Sequence, residues 1–366
     1  MRGLRKEDGI ALATAMYALI VVGGLVSAAF MVSVVEQRLG LNALKFHGAF
    51  ATADGGAAEI VSQWGTGGYR QLAVGQSMIL GQRWVGPSGW YGGAVRRLAQ
   101  QLFFITIDAY SGDSTARQAV GLLVRSEPIE LGLRAALTTR GPVRLGASVN
   151  LDGNDQPPTG WTDCVAPQSP LAALQLMPAD PALIESGTCR DYRCLSGSPK
   201  ILTDSTPRVV SVSELAALAT KTLPGGSYSE IGPRVNVSEC DQFHPHNWGD
   251  PLNPGGPCGR FLPFIFIRGD ADLHGSVGQG VLVVDGDLRM DGDLQFYGAV
   301  IVGGSLTITG AGGRVSGGVI AGAASFDLIS VTGEAVIRYS SCALQRALNA
   351  TAPVVPLGER AWVGLY

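Results

Sequence analysis

Residues 10–35, IALATAMYALIVVGGLVSAAFMVSVV, contain no charged side chain, and Glu36 closes the run. As a helix this stretch reaches about 39 Å, enough to cross a bilayer with some tilt. A secretory leader has a shorter apolar core followed by a small-residue cleavage site, so a run of this length reads as a membrane span. Arg2, Arg5 and Lys6 precede it, and the positive-inside rule therefore keeps the N-terminus in the cytoplasm and exports the chain beyond residue 36. The helical pattern continues beyond the span. EQRLGLNALKFHGAFATADGGAAEIVSQW mixes apolar and polar residues as far as Trp64, which extends the expected helix to about 80 Å.

The chain as a whole has the composition of a folded protein. Of 366 residues, 46% are hydrophobic and 16% charged, which suits two or three domains with substantial cores. The formal charge is −3, or −4 without residues 1–9, which leaves no broad electrostatic footprint for nucleic acid. All six cysteines, Cys164, Cys189, Cys194, Cys240, Cys258 and Cys342, lie beyond the span, where oxidising conditions permit up to three disulfides. Spacing offers only the short-range pairs, Cys189 with Cys194 and Cys240 with Cys258.

Three further segments are distinguishable. QLFFITIDAYSGDSTARQAVGLLVRSEP, residues 101–128, is two alternating strands joined by a turn and reads as a hairpin. Residues 155–262 hold 14 of the 20 prolines and five of the six cysteines, and read as a disulfide-stapled insertion. Within it SVSELAALATKTL carries a helix signal, Ser211 and Glu214 standing at capping-box spacing.

A glycine-punctuated repeat begins at residue 263. FIFIRGDADLHG, VLVVDGDLRMDGDLQFYG, AVIVGGSLTITGAGGRVSG, GVIAGAASFDLISVTG and AVIRYSS align so that Ile265, Leu282, Val300, Val319 and Val336 are equivalent, with steps of 17, 18, 19 and 17 residues. Alternating apolar residues at a period near 18 predict a parallel β-solenoid whose turns bury their apolar faces on one another. Four steps of about 4.8 Å make a stack roughly 19 Å long. SSCALQRALNA, residues 340–350, is predicted to be a helix closing its open end, and RAWVGLY a last strand.

No nucleophile elbow, P-loop, zinc-protease or dinucleotide motif occurs. Cys240, His244, His246 and Asp250 could converge on a metal, although Cys258 offers Cys240 a disulfide instead. Asp270, Asp272, Asp285, Asp287, Asp291 and Asp293 would project from successive turns, an arrangement able to take Ca²⁺ or to act on polysaccharide. A Gly-Asp pair is also what a repeated tight turn demands. The reading therefore assigns no catalytic residue, cofactor or metal, with Ca²⁺ at Asp270, Asp272, Asp285 and Asp287 the alternative.

The charged leader, the abrupt G-IALATAMYALIVVGGLV junction and the alanine-rich AFATADGGAAEIV together resemble the type IV pilin and pseudopilin superfamily, its PilX-like minor pilins above all. The resemblance implies a prepilin leader at 1–9 cleaved between Gly9 and Ile10 by prepilin peptidase, with methylation, and a transmembrane and assembly helix at 10–64 carrying Thr14 and Glu36. It implies an α+β fold: the long helix, a small antiparallel pilin-like sheet at 65–154, the Cys/Pro-rich insertion at 155–262, the β-solenoid at 263–339, and a capping helix and strand at 340–366. It further implies a non-enzymatic subunit held in the inner membrane before assembly, whose partners are other pilins, minor pilins and the inner-membrane assembly machinery. The ligand of the exposed region is left open. Most members carry glutamate as the fifth mature residue; here that position is Thr14, which with the bulk of the exported part points to the filament tip. A membrane-anchored β-helix protein acting on or binding polysaccharide is the alternative. On the first reading, N-terminal sequencing of protein from its native host finds a chain beginning at Ile10, and Gly9→Val leaves it uncut in the membrane.

Overall fold

One helix, α1 (Asp8–Ser62), accounts for the apolar run and its continuation. The computed structural model describes residues 8–365 except 66–67, 87–88, 163, 165–167, 179, 185–188, 205–210, 276, 311–312, 326 and 359–360. At its far end α1 lies on an antiparallel sheet made by β1 (Ser77–Trp84), β2 (Gly89–Arg97), β3 (Leu102–Ser111) and β4 (Arg117–Ser126), in sequential order. β3 shows why the sheet has two faces: Phe103, Ile105, Ile107 and Ala109 alternate with half-buried residues, as the strand's period of two requires. The buried set faces Ala53, Ala57, Ile60 and Trp64 of the helix and forms one core with them.

After β4 the chain leaves this sheet and builds a three-faced parallel solenoid. It enters through β5 (Ala135–Thr139), β6 (Val143–Leu145) and β7 (Asn150–Asp152), then adds β8 (Ala172–Leu176), β9 (Ala182–Ile184), β10 (Leu195–Ser196) and β11 (Ile201–Thr203). A short helix, α2 (Val212–Ala216), leads to β12 (Lys221–Tyr228) and to a small hairpin of β13 (Val235–Asn236) and β14 (Glu239–Cys240). The repeats come next as β15 (Phe264–His274), β16 (Val277–Val284), β17 (Leu288–Asp291), β18 (Gln295–Val302), β19 (Leu306–Ile308), β20 (Arg314–Ala321), β21 (Ile329–Val331) and β22 (Val336–Tyr339). The chain then forms α3 (Ser341–Thr351) and returns to the antiparallel sheet, where β23 (Val354–Pro356) and β24 (Trp362–Leu365) both pair with β4.

The order of rungs in space differs from the order in sequence. One face stacks β12, β15, β16, β18, β20, β5, β8 and β11. The chain thus enters the solenoid in the interior of the stack, winds out to one end through β11, crosses to the opposite end at β12, and winds back until β20 meets β5. Seven steps at the ordinary strand spacing give a stack about 34 Å long, well beyond that expected from the repeats alone. The Cys/Pro-rich segment is accordingly not a separate loop region, because β8 to β12 supply rungs at both ends of the parallel sheet.

Two other expectations need correction. Ile265, Leu282, Val300 and Val319 occupy one register, but Val336 pairs with Arg314 and the neighbour of Val319 is Leu137. The chain leaves the stack after β22, so its next buried position is filled from a distant segment. Likewise α3 does not close an end. It packs along the side of the solenoid over β16, β18 and β20, with Ser340 capping its N-terminus by accepting the Ala343 N–H at 3.3 Å. The corner beneath it is a ladder of Gly280, Gly298 and Gly317, with φ of 109°, 135° and 148°. A Cβ on Gly298 would stand 2.0 Å from the Gly280 carbonyl oxygen and 3.1 Å from the Ala347 Cβ, so glycine there serves both the backbone conformation and the approach of α3.

The register yields a paired prediction. Leu137 is fully buried whereas Val336 is only half-buried, so Leu137→Ala is expected to cost about 2–5 kcal/mol. Val336→Ala should cost less, about 1 kcal/mol. Denaturant unfolding of the two variants checks this; equal losses would return Val336 to the core register.

Candidate functional site: the exposed helix and its junctions

Gly9 and Ile10 lie in the first turns of α1, and their side chains are outside the described residues. Thr14 and Glu36 are both exposed and stand about 33 Å apart along the helix axis. Between them Leu19, Ile20, Leu25, Phe30 and Met31 are 66–72% exposed. This part of α1 is long and apolar enough to cross a membrane, and none of its most apolar window is buried. An exposed apolar surface on this scale marks a site of contact with lipid or protein.

The other half of the same helix is built for docking. Ala49, Ala53, Gly56, Ala57, Ile60 and Trp64 form the buried stripe, at the three- and four-residue spacing of one helix face. Its small residues let the sheet come close: a Cβ on Gly56 would stand 2.9 Å from the Tyr91 ring. Trp64 closes the stripe, its ring centroid 5.1 Å from Tyr69 and 5.0 Å from Phe103. These contacts explain the alanine-rich sequence, since a larger side chain at those positions would lift the helix off the sheet.

Two polar links fix the helix on the sheet. The Tyr91 hydroxyl donates to Glu59 Oε2 at 2.6 Å, and Arg83 and Gln63 both donate to Oε1. The Tyr91 hydrogen bond, followed by those from Arg83 and Gln63, holds the Glu59 carboxyl below its ordinary 4.5 against the opposing effect of burial. Burial and the bond to Glu59 push the Tyr91 phenol up to about 12. Nearer the exposed half, Lys45 lies 2.6 Å from Asp113 in the β3–β4 turn. Hydrogen bonds from Lys45, Ser111 and Thr115 hold that carboxyl well below the usual range.

All six cysteines are paired. Cys189 is bonded to Cys194 and Cys240 to Cys258, and the third bond joins Cys164 to Cys342. This last pair ties the loop after β7 to the first turn of α3 across 178 residues. In chain-entropy terms closure over that separation contributes about 5 kcal/mol. Trp161 covers it, stacked on Tyr297 and beneath the Arg346 guanidinium at 4.1 Å.

Several of the acidic and histidine candidates have other partners. Asp270 Oδ1 accepts the Asp287 N–H at 2.8 Å, and Asp287 Oδ1 accepts the Ser305 N–H at 2.7 Å. Each carboxylate thus links one corner to the next rung. Asp272 lies on β15 and Asp285 just beyond β16, while Asp291 contacts His274. Cys240 is in its disulfide, and His244 Nδ1 accepts the His246 N–H. The loop around them is gathered on Lys221, whose ammonium donates to the carbonyls of Gln242, His244 and Asn247. Among the described residues no group of three or more His, Cys, Asp or Glu could hold a metal ion.

The competence-associated pilin ComZ from Thermus thermophilus is among the solved structures similar to this chain, with 11% identity, 88% of this chain and 97% of ComZ covered, and a TM-score of 0.21. No protein-family model and no curated protein matches. The functional reading accordingly rests on the geometry of α1 and its attachments.

The Glu59 cluster makes a pH prediction with a definite sign. A carboxyl whose folded pKa is depressed contributes stability that is fully present above its unfolded pKa and is lost as pH falls through the folded one. Glu59→Gln should therefore lower the melting temperature at neutral pH. The gap from the parent protein should shrink below pH 4.5; a gap independent of pH would remove Glu59 from the helix–sheet link.

Proposed function

We propose that this chain is a non-enzymatic minor pilin or pseudopilin of a type IV pilus or related secretion filament, standing at the filament tip and serving assembly or surface adhesion. The observation that carries the reading is the division of α1. Its first half exposes an apolar surface to which the rest of the described residues contribute no cover, and its second half is docked on the antiparallel sheet through a stripe of small residues. A tether needs only the span; a rigid continuation into a packed helix of about 82 Å suits a subunit that leaves the bilayer and packs helix against helix.

In this reading the chain is first a single-pass inner-membrane protein with a cytoplasmic N-terminus, processed by prepilin peptidase between Gly9 and Ile10. It is then drawn into a filament by the assembly machinery alongside other pilins. The solenoid suits a terminal place because it stands at the far end of α1, where Thr220 approaches Gly65 and Arg70 reaches the Ala350 carbonyl. Thr14 suits it as well. A buried N-terminal amine is costly unless an acidic group answers it, and Thr14 offers no charge to a neighbour's amine. A subunit at the tip need not play both roles.

Gold labelling of an epitope within residues 155–262 on isolated filaments tests the placement. Label confined to filament ends is expected. Label spread along the shaft, or Thr14→Glu leaving both the amount and the position of the subunit unchanged, would count against it.

A further inference from the structure

A cleft of about 420 Å³ lies where the antiparallel sheet, α3 and the solenoid meet. Among the described residues its walls include Arg70, Arg97, Lys221, Arg260 and Arg346, and no Asp or Glu. That balance is unusual in a chain of net charge −3. Like charges gathered around a partly enclosed space repel one another, and the repulsion grows as solvent is excluded.

Two donors in this wall also lack acceptors. Trp64 is 2% exposed and its indole N–H has no hydrogen-bond partner among the described residues, and the same holds for the buried Nε–H of Arg70. Arg70 uses Nη1 on the Ala350 carbonyl at 2.7 Å, which sets its guanidinium at the seam between the sheet and α3. A buried donor left without an acceptor carries a desolvation cost that a ligand oxygen would remove. Burial brings Arg70 down to about 10 and, against the opposing charge of Asp241, Lys221 to about 8, the direction expected of cations held away from water. Aromatic rings form part of the wall, with Phe103 beneath the Arg97 guanidinium at 5.3 Å and Phe261 beneath the Lys221 ammonium at 5.5 Å.

We propose that this cleft binds a small organic oxyanion, a carboxylate or phosphate carried on a body that packs against the aromatic walls. The volume lies within the range of small-molecule pockets. The Arg70 and Arg260 guanidinium groups supply the forked donors that carboxylate and phosphate oxygens fit, while Arg97 is turned onto the carbonyls of Leu72, Ala99 and Gln100. The site is formed jointly by the sheet and the inserted solenoid, so an occupant would brace one against the other.

Isothermal titration calorimetry on the full chain in detergent tests this, with inorganic phosphate and D-galacturonate as probes and D-galactose as the neutral control. Saturable binding of at least one anion and none of galactose is expected, weakening as salt is raised. Binding of phosphate alone would indicate a phosphorylated ligand, and of galacturonate alone an acidic sugar. Arg70→Gln and Arg260→Gln should each weaken binding by about tenfold, while Arg117→Gln, paired with Asp108 on the sheet, should leave it unchanged. Arg260 is exposed, so its variant keeps the fold even where Arg70→Gln does not. Neither anion binding the parent protein saturably, or Arg260→Gln binding as the parent does, would overturn the proposal. The measurement is independent of filament assembly.

Discussion

Val354 pairs with Ser126 across adjacent strands of the antiparallel sheet, and the shape of the solenoid follows from that pairing. Residues 127–353 leave the sheet and return to it at neighbouring points. A simple solenoid begins at one end of its stack and finishes at the other. To begin and finish together, the chain must enter within the stack, run out to one end, cross over, and wind back. β5 and β22 are the consequence: they lie on adjacent faces and share β20 as a neighbour. The bond between Cys164 and Cys342 fastens the same region covalently.

The junction between the two units depends on how closely backbones can approach. Alanines and Gly56 let α1 sink into the sheet far enough for Tyr91 to reach Glu59. Gly298 lets α3 settle on the solenoid corner, and from there Ala350 receives Arg70. Burial of small side chains contributes little per residue, but the close approach brings the larger groups, Trp64, Phe103 and Ile60, into one core. The cationic cleft lies between these two contacts.

Local pattern made much of this legible. The apolar run was legible as a helix from its length without charge, and its continuation from the mixed apolar and polar pattern that follows without a break. The hairpin at 101–128 was visible in strict alternation around a turn and is β3 with β4. The repeats from residue 263 were visible because each rung is one chain segment with its own turn, and Ile265, Leu282, Val300 and Val319 share a register. The strands between residues 172 and 228 were not. They carry no repeat of constant length, and loops rich in proline separate them.

By itself, then, the sequence determined the long helix with its apolar half, the alternation of the sheet and the winding of the repeated rungs, since each depends on residues close along the chain. Only the tertiary structure decided that Leu137 rather than Val336 follows Val319, that α3 lies along the solenoid rather than across its end, and that five cations surround one cleft. Those facts join segments separated by up to hundreds of residues. Which of them meet is set by where β23 returns to β4, a contact for which no short stretch of sequence carries a signal.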